Sequence, residues 1–277
     1  MGLRAAPRGE LPQINSRPLL DFLACPVCDH APLAEGPTGL ACLRCGGDFP
    51  IAHGAPVFLE QPGDYVDRTP QTARTNPYTQ ASLDIIRRYP DRVVLDLGAG
   101  HPRDEELFPN VLRQDVIHFA STHVVSTTPR LPFRDAVFEA VVCESVLEHV
   151  ADPWRVAEEI HRVLKPGGLI RVDSAFLQPF HGDPSHYFNM TVPGIERVFR
   201  RFRKLRSGVD AHQMPSYSIR MLLQQYRDLI RDPQMRSRIE QFLALPFEQT
   251  DRELTPAEHS VVGAGVFFEG MKDPGAT

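Results

Sequence analysis

The sequence predicts an α/β protein: a doubly wound, mostly parallel sheet with an antiparallel final strand, plus a small cysteine-rich module on its N-terminal side. Three observations lead there. Short apolar runs alternate with stretches of helical period, as strands do when helices cover both of their faces. The run RVVLDLGAG closes on a glycine turn, as a central strand of such a sheet does. Two Cys-x-x-Cys pairs lie between residues 25 and 45, ahead of all the alternating elements.

Residues 1–18 are polar and interrupted by Pro7, Pro12 and Pro18, which predicts a flexible leader. The cysteine module is expected over 19–60, a linker over 61–77 and the large domain over 78–272. In ASLDIIRRYP, Leu83, Ile85 and Ile86 recur at helical spacing and Pro90 ends the helix. After RVVLDLGAG come strands at Val111–Val116, His123–Thr127 and Ala140–Ser145. Next is the helix DPWRVAEEIHRVL, with Asp152 as N-cap and Pro153 in its first turn, where a missing N–H costs nothing. The turn Lys165–Gly168 breaks it and LIRVDSAF resumes the sheet. FRKLRSGVD and VVGAGVFFEGMK form the last, antiparallel pair, with a helical insertion over about 214–250 between them.

Of the 277 residues, 42% are hydrophobic and 23% charged, which predicts a packed core and not a disordered chain. A net charge of -5 disfavours a nucleic-acid partner, since phosphate binding needs a basic field. The local run Arg197, Arg200, Arg201, Arg203, Lys204 and Arg206 alternates with Val198, Phe199, Phe202 and Leu205, and reads as a solvated face. No apolar run reaches the roughly eighteen residues of a membrane span, and MGLRAAPRGELPQ lacks the apolar core of a secretory signal. The expected location is therefore cytoplasmic, where cysteines serve as metal ligands or buried thiols more often than in disulfides.

Cys25 and Cys28, then Cys42 and Cys45, offer two chelating pairs of soft thiolates. Their spacing predicts a structural Zn2+, since four cysteines leave no open position for water or substrate. The bound ion would supply folding energy that so small a module lacks. LACLRCGGDFPIAHGAPVFL also resembles the short zinc ribbon that accompanies methyltransferases, through Phe49, Pro50, Ile51 and Pro56–Leu59.

Asp96 stands just before the turn Gly98-Ala-Gly100, whose glycines let the backbone approach a ligand closely. Fifteen residues beyond Gly100, Asp115 ends the next strand, where a carboxylate can accept both hydroxyls of a ribose. The turn resembles motif I of class I, Rossmann-like, S-adenosylmethionine-dependent methyltransferases of the type 11-like group. The stretch RLPFRDAVFEAVVCESVLEHVADPWRVAEEIHRVLKPGG is similar to the middle of that family almost throughout. The resemblance implies that Asp96, Gly98 and Gly100 hold the methionine end of S-adenosylmethionine and that Asp115 takes the ribose. Leu131, in the Leu131-Pro132-Phe133 turn of the same match, is placed with the cofactor, and Glu144 and Ser145, at the carboxyl end of their strand where ligands of such sheets bind, are expected to contact cofactor or substrate. Where the family has an aspartate for the adenine amino group, this chain has Thr127. No third glycine follows near position 103, against a dinucleotide fingerprint, and the short span after Gly100 leaves room only for a very short helix.

Methyl transfer depends mostly on alignment, and a general base helps when the acceptor is a hydroxyl or a protonated amine. His149 is read either as that base or as a histidine that caps or packs. His181 and His186, with Asp183 and Tyr187 in FLQPFHGDPSHYF, are read as lining an acceptor pocket, forming a self-satisfied loop or binding a second metal. Cys143, between apolar residues, is read as a core thiol. The expected function is methylation of oxygen or nitrogen on a small molecule, saccharide or natural-product intermediate. The acceptor is the expected partner, and a homo-oligomer is left open. The alternatives are a catalytically degenerate, methyltransferase-like scaffold and, further off, an rRNA methyltransferase with its own zinc ribbon.

Overall fold

A computed structural model describes residues 11–61, 64–69, 77–102, 104–182 and 185–275. Of the leader expected over 1–18, residues 1–10 lie outside this set, and so do 62, 63 and 70–76 of the expected linker. Residues 11–18 are folded: β1 (Gln13–Ile14) and β2 (Arg17–Pro18) form a hairpin. Ile14 is buried at 1% and Leu11 packs against the same core, which together anchor the segment.

The cysteine module is a meander of β3 (Ala34–Glu35), β4 (Gly39–Ala41), β5 (Asp48–Ala52) and β6 (Ala55–Phe58), each antiparallel to the next. A short β7 (Val66–Asp67) and the helix α1 (Gln80–Arg88) follow, the latter capped by the Thr79 hydroxyl accepting from Ser82 N. Then come β8 (Val94–Leu97), β9 (Val111–Asp115), β10 (Ile117–His118), β11 (Val124–Ser126) and β12 (Phe138–Cys143). The helix α2 (Pro153–Val163) is capped as expected, with the Asp152 carboxylate accepting from Arg155 N at 3.0 Å. It leads into β13 (Leu164–Ala175), α3 (Val192–Val198) and β14 (Arg203–Gly208). The insertion holds α4 (Pro215–Leu229), α5 (Pro233–Leu243), α6 (Phe247–Thr250) and α7 (Pro256–Val262), before β15 (Gly265–Met271).

The main sheet runs β14-β15-β13-β12-β8-β9-β11-β6-β5-β4-β3. From β12 through β8, β9 and β11 to β6 the pairs are parallel, while β15 lies antiparallel between β13 and β14. The chain leaves β8 in one direction and returns on its other side at β12, so the topological switch lies between these two strands. Strand alternation sorts the core into two faces. Val94, Val111, Ala140, Val142 and Leu169 pack with Ile86 of α1, while Leu95, Leu112, Val141, Cys143 and Ile170 face α2 and α3. Lys165–Gly168 is a bulge within β13, lying between the pairs Phe138↔Leu164 and Ala140↔Leu169.

The ribbon is not a separate module. β6 pairs with β11, and Cys25, Leu33, Leu40, Cys42 and Phe58 belong to the same buried cluster as Phe133, Phe138 and Val141. Further backbone bonds join Ala24 N to Pro132 O and Arg134 N to Phe22 O. A sheet edge left open at β11 would need covering, and β6 covers it. The basic run around β14 behaves as a solvated face, with Lys204 paired to Glu196 at 2.8 Å and Arg206 to Glu269 at 2.6 Å. Among the described residues no helix is long and apolar enough to cross a membrane.

Candidate functional site

At the switch point the chain turns sharply after Leu97. Gly98 has φ +74°, and a Cβ there would lie 2.2 Å from Val146 Cγ2, so only glycine fits. Gly98 N and Ala99 N both donate to Gln114 O, and Gly100 follows at φ +57°. The expected short helix is a single 3-10 turn, Asp104–Glu106.

Carboxylates surround this turn. Asp96 is buried at 4% and accepts from the Tyr78 hydroxyl. Burial pushes its carboxyl up to about 7, and Tyr78's phenol is raised by burial and by Asp96. Asp115 accepts from Gly100 N and from Ile117 N, each at 2.8 Å, and burial raises it too. Glu144, just past β12, takes the hydroxyls of Thr79 at 2.5 Å and Ser82 at 2.6 Å. Burial, then the charge of Asp173, raises its carboxyl. Asp173, wholly buried on β13, accepts from Ser145 N at 2.8 Å, and Ser145 itself is exposed with φ +55°.

The structure therefore brings Asp96, Gly98, Gly100, Asp115, Glu144 and Ser145 to one rim. Thr127 is half-buried just beyond β11 on the same side of the sheet. Leu131 is elsewhere: it is 1% exposed in the core, and its N–H donates to the Glu159 carboxylate at 2.9 Å. Its side chain is packed in the core, away from any ligand-accessible surface.

Tyr78 and Thr79 were missed because TNPYTQ has the composition of a linker, and Ser82 because its helix was read only for its apolar positions. His212 was missed as well. It sits in the turn Ala211–Gln213, with Nε2 3.5 Å from Asp173 Oδ2, and Asp173 raises its imidazole against the lowering effect of burial. Its neighbour Asp210 pairs with the fully buried Arg171, which fixes the turn. Nothing in the local pattern links residue 212 to the end of β13.

His149, His181 and His186 do meet. Ring centroids are 5.2 Å apart for His149–His181, 4.4 Å for His181–His186 and 5.9 Å for His149–His186. His186 is consumed locally: Nδ1 accepts from His181 N, and Nε2 donates toward Phe188 O and Asn189 Oδ1. Both of its ring nitrogens are thus engaged within the loop. Asp183 lies outside the described residues. Cys143 is a fully buried thiol, raised by burial.

In the ribbon, Cys25 Sγ lies 3.6 Å from Cys45 Sγ and Cys28 Sγ 3.6 Å from Cys42 Sγ, with all four sulfurs within 4.8 Å of one another. The edge of a tetrahedron with zinc–sulfur bonds of about 2.3 Å is about 3.8 Å, so the cluster fits such an ion. Turns closed by Asp29 N to Cys25 O and Gly46 N to Cys42 O, both 2.9 Å, form the two knuckles.

Comparison with known proteins finds a match to the family described as methyltransferase domain over residues 106–172. An uncharacterized methyltransferase of Mycolicibacterium gilvum is 40% identical over 86 residues, 30% of this chain and 33% of that one. The matched segment thus spans about a third of that relative's length. Among solved structures, phosphoethanolamine N-methyltransferase 2 of Haemonchus contortus, in complex with S-adenosyl-L-methionine, is 16% identical with a TM-score of 0.40, covering 70% of this chain and 52% of that one. Geranyl diphosphate C-methyltransferase of Streptomyces coelicolor is 14% identical with a TM-score of 0.41, covering 69% and 78%. Residues 106–172 thus match the methyltransferase-domain family, and they lie in a sheet onto whose edge the four-cysteine ribbon is built.

Proposed function

We propose that the protein transfers a methyl group from S-adenosylmethionine to oxygen or nitrogen of a small molecule, saccharide or natural-product intermediate. One observation carries the cofactor: Asp96, Asp115 and Glu144 gather about the glycine turn at the switch point, with Asp173 behind Glu144; burial raises the first three, and repulsion from neighbouring carboxylates adds to it at Asp96 and Glu144. A ligand bearing a sulfonium and an ammonium complements such a ring, whereas an anionic dinucleotide does not. Asp96 and the glycine turn would receive the amino-acid end and Asp115 the ribose. Glu144 and Ser145 lie nearest the end of β12, where the acceptor would approach. His212, held by Asp173, stands at the same end of the sheet as a candidate proton acceptor. The ribbon cysteines would hold one structural Zn2+, whose role is to shape the knuckles.

Calorimetric titration with S-adenosylmethionine and S-adenosylhomocysteine is the test. Binding of both, abolished by Asp96→Ala, is expected, and no heat at millimolar ligand would reject the assignment. That second outcome would favour the scaffold reading, for which Thr127 and the self-bonded carboxylates of Asp115 and Glu144 speak.

A further inference from the structure

His149 and His181 differ from His186 in how their protons are placed. His149 Nδ1 faces Ser185 O at 2.7 Å, and His181 Nδ1 faces Pro179 O at 2.9 Å. A carbonyl only accepts, so each Nδ1 carries the hydrogen and each Nε2 keeps its lone pair. Metal-binding imidazoles are commonly oriented in this way by backbone carbonyls. Glu148 stands beside them, 1% exposed, its carboxylate aimed by the Ser174 hydroxyl at 3.1 Å and Ala175 N at 3.3 Å. One donor atom each from Glu148, His149 and His181 lie within 4.8 Å of one another.

We propose that Glu148, His149 and His181 form a site for a divalent first-row transition ion, distinct from the cysteine cluster. Two imidazoles and one carboxylate suit such ions better than Mg2+ or Ca2+, which favour all-oxygen sets. With three protein ligands the ion keeps positions open to water or an acceptor oxygen, unlike the closed four-sulfur site. His186 braces the loop that carries His181 and supplies no ligand.

The test adds Co2+ to the full-length, zinc-loaded protein and follows visible absorption and heat. One further equivalent is expected, with weak d–d bands and no thiolate charge-transfer band, unaffected by millimolar Mg2+. His149→Gln and His181→Gln should each weaken binding at least about tenfold, with His53→Gln, on the exposed ribbon side, as the unchanged control. Thermal melts verify that each variant is folded, and Glu148→Gln serves where a histidine variant is not. Cobalt entering only the thiolate site, or both histidine variants binding as wild type, would overturn the proposal. Metal and S-adenosylhomocysteine are titrated separately, so the failure of one leaves the other standing.

Discussion

Asp96→Asn keeps the shape of the side chain and its bond from Tyr78 while removing a charge that burial opposes. The carboxyl moves from an ordinary 3.8 to about 7 on folding. Three units at about 1.4 kcal/mol each come to roughly 4 kcal/mol. The sign follows from the raised value: the contribution to stability is fully present below pH 3.8 and is lost as the pH rises through about 7. Between pH 5 and 8 about two of the three units remain, so the ligand-free wild type should lose roughly 3 kcal/mol relative to the variant. Urea unfolding of both proteins at the two pH values measures this difference directly. The variant should be the more stable at pH 8 and yet bind S-adenosylmethionine poorly, having exchanged a ligand-binding charge for an inert amide. A stability gap that stays flat between pH 5 and 8 would refute the claim that Asp96 is held near neutrality by its burial.

Two further outcomes are expected. Gly98→Ala forces a Cβ onto Val146 at a positive φ, and should lower cofactor affinity at least about tenfold and stability by about 1–3 kcal/mol; wild-type calorimetry from this variant would disprove the close packing of the turn. Phe133→Ala empties a site that is edge-to-face with Phe138 at 5.1 Å and bridged to Leu23, and should cost about 3–5 kcal/mol in a single transition that takes ribbon and sheet together. A separate ribbon transition in scanning calorimetry, with the main one unmoved, would show that the shared core is not cooperative.

Much of this protein is legible in its sequence because the relevant signals are local. Apolar periodicity marked β8, β9, β12, α2 and β15, since a strand or helix buries a face fixed by its own repeat. Asp96 with Gly98 and Gly100, and the paired cysteines, were readable because a turn and a chelate each need particular residues at close spacing. What the tertiary structure decided was long-range. The joining of β6 to β11 depends on backbone edges, which carry no side-chain signature. Glu144 reaching Thr79 and Ser82, and His212 reaching Asp173, join residues whose neighbours in the chain say nothing of each other. Leu131 entered the core although its motif pointed to the rim, because Glu159 of α2 holds its backbone there. The histidines were visible as letters, but which ring nitrogen of each faces a backbone carbonyl was not. That choice exists only once the loop has folded onto the end of the sheet.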